Sequence, residues 1–218
     1  MSLELGPQKL VAKNMREYPL QNPIIDDVKI LLDDGARRFQ KWFERYKPWH
    51  KNNGITERNL SFQFAVSFLN RFPDGHVFTE VPFSLSSKRA DKHLDAYLFN
   101  DTYSIFLECK IVWAESHVNA ISADIERIPK MVEEVQNRHT NAICPIPYGM
   151  ILAETWRDDV ANWWRGDNDS KKWSRDILPP DWHYDFIEVH KDKDHGEFEG
   201  TLYWLYAVSP KLSEDNKP

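Results

Sequence analysis

HLDAYLF (residues 93–99) and YSIFLECKIVW (residues 103–113) are the two stretches whose reading decides the fold. The first carries Leu, Tyr and Phe, the second is rich in aromatic and β-branched residues, and Asn100-Asp101 between them is a tight-turn signal, so the pair reads as a β-hairpin. Successive side chains of a strand point to opposite faces. Glu108 and Lys110 therefore share one face of the second strand, and Ile105, Leu107, Cys109, Ile111 and Trp113 share the other. Asp95 sits in the first strand. Charged groups inside apolar strands cost several kcal/mol unless they are paired or bind a metal. Three of them on adjacent strands mark a place where they are used.

Working outward, Val28, Leu31, Leu32, Ala36, Phe39, Trp42 and Phe43 recur at helical spacing over about 24–46. Asn52-Asn53-Gly54 breaks the chain. Thr56 is an N-cap candidate for a second helix, with Leu60, Phe64, Ala65, Phe68, Leu69 and Phe72 on one stripe and Glu57 at its N-terminal end. Pro73-Asp74-Gly75 stops it. Strands are expected near 76–85, 92–99 and 103–113, then a helix over about 118–138 with Ile121, Ile125, Ile128, Val132 and Val135 inward. Pro129 inside that helix predicts a kink or a break. Residues 149–156 read as a fully buried strand of a mixed sheet. A short helix near 157–165 and strands near 184–190 and 200–209 follow.

The chain has 218 residues, 41% of them hydrophobic, enough to bury a core as one domain. The expected divisions are an N-terminal arm and helix (1–54), a core (55–156), a C-terminal α/β extension (157–209) and a flexible tail (210–218). The apolar runs are too short to span a bilayer and the N-terminus lacks a signal-peptide pattern, so a cytoplasmic protein with no membrane partner is expected. Cys109 and Cys144 lack the spacing of a structural zinc site. At a net charge of −6, any nucleic acid has to be met by a local basic surface.

The order helix, three strands, helix, strand, with Glu57, Asp95 and Glu108-Cys109-Lys110 in those places, resembles the PD-(D/E)xK nuclease superfamily over about residues 55–156. The resemblance implies an α/β, restriction-endonuclease-like core with a mixed central sheet, flanked here by the N-terminal helix and a C-terminal strand extension. It implies a metal-dependent endonuclease, with DNA as the expected nucleic acid and Mg²⁺ or Mn²⁺ as cofactor. Asp95 and Glu108 would hold the ion, Lys110 would position or activate the attacking water, and Glu57 would be a further metal ligand. Leu94 stands where the motif usually has proline. The chemistry is coherent in itself, since a few hard carboxylates suffice for Mg²⁺, which supplies both an activated water and charge neutralisation at a phosphate.

The same residues also admit a cross-strand ion pair on a solvated face, or a non-catalytic nucleic-acid-binding or assembly subunit that keeps the fold. A homodimer or larger complex is left open. Arg38, Lys41 and Arg45 share a face of the first helix, and Lys88 and Arg89 precede the Asp95 strand; both sets are candidate phosphate contacts. Glu80 and His93 read as exposed strand residues, Lys130 and Gln136 as solvated helix. His190 and His195 read as part of a charged loop, and the tryptophans between 156 and 204 as core.

Overall fold

The computed structural model describes residues 23–46, 56–83, 92–138, 145–167, 174–176, 178–192 and 200–212. Among the described residues, four helices and six strands follow in the order α1 (Pro23–Tyr46), α2 (Glu57–Arg71), β1 (His76–Phe83), β2 (Lys92–Phe99), β3 (Tyr103–Ile111), α3 (Glu115–Arg138), β4 (Ile146–Thr155), α4 (Asp158–Arg165), β5 (His183–Asp192) and β6 (Gly200–Val208). Each lies within a few residues of its predicted place.

The helices start and stop where the sequence signals them. Thr56 holds the extended backbone of an N-cap, although its hydroxyl makes no capping bond. Phe72 closes α2 just before Pro73. The β2–β3 turn is fixed by Asn100, whose Oδ1 accepts the backbone N–H groups of Thr102 (2.8 Å) and Tyr103 (3.0 Å). This side-chain mimic of a backbone turn explains the preference for Asn there. Of the kink or break expected at Pro129, the break does not occur: α3 runs through Pro129 without interruption. Burial of Ile121, Ile125, Ile128 and Val132 spans the proline and holds both halves to the sheet.

All six strands form one sheet in the order β1-β2-β3-β4-β6-β5. Among the described strands, β3 and β4 alone pair in parallel and every other neighbour is antiparallel, so the sheet is mixed as expected. β6 lies between β4 and β5, although it follows β5 in sequence.

Two apolar clusters cover the two faces. One joins α1 and α2 to the sheet through Leu31, Phe39, Phe64, Phe68, Leu107, Cys109 and Leu152. The other joins α3 and α4 through Ile121, Ile128, Trp163, Trp164, Phe106 and Ile151. The result is a three-layer α/β/α arrangement, which buries a two-faced sheet. Leu69, expected on the buried stripe of α2, is exposed, whereas Leu60, Phe64, Ala65 and Phe68 are buried. Trp163, Trp164 and Trp204 are fully buried, and the Trp164 indole N–H donates to Tyr206 O at 2.8 Å. Core packing, not base stacking, is their role. No helix among the described residues is long and apolar enough to cross a membrane.

Candidate active site

The β2–β3 ladder is regular from Phe99–Ser104 to Ala96–Leu107. One step further along that register lie Asp95 and Glu108, and there the ladder stops. Leu94 packs into the α3 cluster while Ala96 packs into the α1/α2 cluster, so the alternation of β2 is broken at Asp95. Its carboxylate takes over the pairing, as Asp95 Oδ2 accepts the Cys109 N–H at 2.7 Å. β1 is irregular at the same level. Glu80, between the pairs Thr79–Ala96 and Val81–Leu94, has φ 52°, the left-handed region that a non-glycine residue occupies at a cost of about 1–3 kcal/mol. Glu80 is exposed, as expected, and pairs with Arg58 at 3.1 Å.

Alternation of β3 places Glu108 and Lys110 on one face, and that face is covered by α3. Glu108 is only 2% exposed. Its Oε1 is bound by Arg127 Nη2, which also reaches Asp124 Oδ1 at 2.8 Å. The other oxygen of Asp124, Oδ2, lies 2.9 Å from Lys110 Nζ, and Lys110 donates to Cys109 O at 3.1 Å. Asp124 thus bridges two cations from two elements. Glu57 joins from the first turn of α2, where its Oε1 accepts the Ile111 N–H at 3.3 Å. Asp95, Glu108 and Lys110 come together at one level of the sheet, with Glu57 beside the end of β3.

The electrostatics reflect crowding. Burial raises the Asp95 carboxyl above its usual range, against the hydrogen bond from Cys109 and the Lys110 charge. Burial first, then Asp124, pushes Glu108 up to about 8, with Arg127 pulling the other way. Burial alone would lower Lys110, but Asp124, Glu108 and Glu57 together hold it above the ordinary lysine value. It is therefore a cation at neutral pH. The free thiol of Cys109 is buried on the opposite face, where burial raises it strongly.

Sequence reasoning missed Asp124 and Arg127. Their signal was present: Asp124 falls three residues after Ile121 and four before Ile128, inside the buried stripe of α3. It is 6% exposed.

The basic candidates separate. Arg38 ties α1 to α2 by binding Asp34, Gln63 O (2.9 Å) and Ser67 Oγ (2.7 Å). Lys41 and Arg45 remain exposed on α1. Lys88, Arg89, Cys144 and His195 lie outside the described residues. His93 and Lys130 are exposed and Gln136 is half-buried, while His190 stacks on Phe43 with 5.1 Å between ring centroids.

Among the described residues, no group of three or more His, Cys, Asp or Glu side chains is arranged to hold a metal ion. Two carboxylates are nonetheless enough for Mg²⁺, which keeps most of its waters. Asp95 and Glu108 are hard-oxygen donors of that kind, each with one oxygen engaged in the hydrogen bonds above. Arg127 is the group already in contact with Glu108. No protein-family model, curated protein or solved structure matches the chain.

Proposed function

We propose that this protein is a metal-dependent nuclease with a restriction-endonuclease-like core, hydrolysing phosphodiester bonds, with DNA as the expected substrate. One observation carries the reading: Asp95 replaces the backbone ladder at the level where Glu108 and Lys110 emerge on β3, at an irregularity shared by β1. A sheet gains nothing from ending its hydrogen bonding beside buried charges, and such strain concentrates at functional sites.

Asp95 and Glu108 would hold Mg²⁺ or Mn²⁺, with Glu57 near enough to orient a water of the ion. Such a cation supplies an activated water and neutralises charge on the phosphate. Lys110, kept protonated by Asp124, offers its charge and hydrogen bonds to the attacking water or a phosphoryl oxygen. Asp124 fixes the position of that amine. The break in β2 leaves Asp95 free of ladder pairing, so its side chain and not its backbone occupies the site.

A second reading has its own observation. Arg127, Asp124, Lys110 and Glu108 close on one another as an ion-pair network, which is how a non-catalytic nucleic-acid-binding or assembly subunit would satisfy buried charges. Incubation of supercoiled plasmid, linear duplex and single strands with Mg²⁺ or Mn²⁺ separates the two, with EDTA and Lys110→Ala as controls. Cutting that needs metal and is lost in the variant supports the nuclease. Binding without cutting by either protein favours the second reading.

A further inference from the structure

The hydrogen bonding of Arg127 within the cluster is incomplete. A guanidinium carries five donors in a planar fork suited to a carboxylate or a phosphate. Here Nη2 alone serves both Glu108 and Asp124, while Nε is buried with no acceptor among the described residues. A buried donor without a partner is costly, so this arrangement gives way readily when a better acceptor arrives. The side chain is 16% exposed, enough for one edge to meet solvent.

The charge balance says when such an acceptor arrives. Among the described residues, Asp95, Glu108 and Asp124 are met by Lys110 and Arg127, and Glu57 and Glu80 add further carboxylates beside them. A phosphodiester approaching this group meets net repulsion. A divalent ion at Asp95 and Glu108 reverses the balance, and it needs the same Glu108 carboxylate that Arg127 now binds.

Resting on the reading of a cation site at Asp95 and Glu108, we propose that Arg127 is the phosphate-binding residue of this site. Until a divalent cation takes Glu108, it is that cation's placeholder. Cation and guanidinium compete for one carboxylate. Release from Glu108 frees the fork for a phosphate, and Asp124, one turn earlier on α3, keeps the guanidinium beside the site. The buried acid is thereby compensated in both states, and the site attracts nucleic acid only after it is loaded.

Two measurements without turnover test this. Calorimetric titration of Mn²⁺ into the folded chain, with no nucleic acid, should show Arg127→Gln binding at least tenfold more tightly than wild type. Anisotropy of a short DNA duplex in Ca²⁺ should show the same variant binding DNA at least tenfold more weakly, with Arg127→Lys recovering part of the loss. If Arg127→Gln does not fold, the wild type decides through its Arg127 Nε–H resonance, assigned by its absence from Arg127→Lys. Mg²⁺ should shift it, and a resonance unmoved at saturating Mg²⁺ overturns the proposal. Equal or weaker Mn²⁺ binding by Arg127→Gln overturns the placeholder role and leaves the cation site standing. No Mn²⁺ binding by either folded protein overturns the cation site itself.

Discussion

Replacing Glu154 by glutamine isolates one buried carboxylate and gives a sign that is easily checked. Glu154 lies on β4, beside Ile111 on β3 and Trp204 on β6, and is 1% exposed. Its Oε2 is buried with no hydrogen-bond partner among the described residues. Burial raises its carboxyl from 4.5 to about 8, and the neighbouring Trp204 indole offsets only part of this. The unfolded chain releases the proton near the ordinary value, whereas the native protein holds it until about pH 8. Between those values the native state binds more protons, so stability falls as pH rises. At about 1.36 kcal/mol per unit, the loss between pH 5 and pH 8 is on the order of 3 kcal/mol. Glutamine keeps the shape and cannot ionise.

The assay is urea unfolding followed by tryptophan fluorescence at pH 5, 6.5 and 8, for wild type and Glu154→Gln. Glu108 titrates in the same window, so the absolute slope of either protein is not diagnostic. The difference between them is. The stability of the variant relative to wild type should climb by about 3 kcal/mol from pH 5 to pH 8. A difference that stays constant to within about 0.5 kcal/mol would refute the reasoning, because it would mean that Glu154 is ionised or solvated in the native state throughout.

Gly149→Ala should lower the melting temperature in calorimetry, at a cost of about 1–3 kcal/mol. An added Cβ would stand 2.7 Å from Ile128 Cγ2 and 3.0 Å from the Trp182 ring, where α3 approaches β4. Arg38→Ala should cost about 1–3 kcal/mol in urea unfolding, since it unties α1 from α2, yet leave DNA affinity unchanged. Lys41→Ala with Arg45→Ala should do the opposite, weakening DNA binding and flattening its salt dependence with little change in stability. Trp164→Phe removes the donor to Tyr206 O and should cost about 1–3 kcal/mol, seen as faster amide exchange around α4 and β6.

The local part of this architecture is legible in the sequence because local physics decides it. Hydrophobic period separates α1, α2 and α3 from the strands, and Pro73 and Asn100 punctuate where they should. Pro129 does not break α3, because a helix tolerates a missing N–H when tertiary packing holds both sides of it. At the site, Glu57, Asp95, Glu108 and Lys110 stand out as charges in apolar surroundings. Asp124 and Arg127 did not, since charged residues on a helix usually face water, and only the position of Asp124 within the isoleucine stripe distinguishes it. Glu154 lies inside the run read as a fully buried strand, and that run is so apolar that its single acid carries no periodic signal of its own. The placing of β6 between β4 and β5 was illegible, because long-range pairing partners leave no mark on local periodicity.

That last feature has a bearing on how the chain folds as it is made. β5 leaves the ribosome before β6, yet among the described strands β6 is its one neighbour in the sheet, and β4 likewise waits for β6 on that side. Until residues 200–208 emerge, the sheet ends at an open β4 edge rich in Ile, Leu and Met, and β5 has nothing to pair with. An open apolar edge is a template for pairing with another chain. Between synthesis of β4 and arrival of β6 the chain thus carries an apolar edge open to pairing with another chain. Synonymous codons that slow translation across 157–199 should lower its soluble yield without altering a single contact in the finished fold.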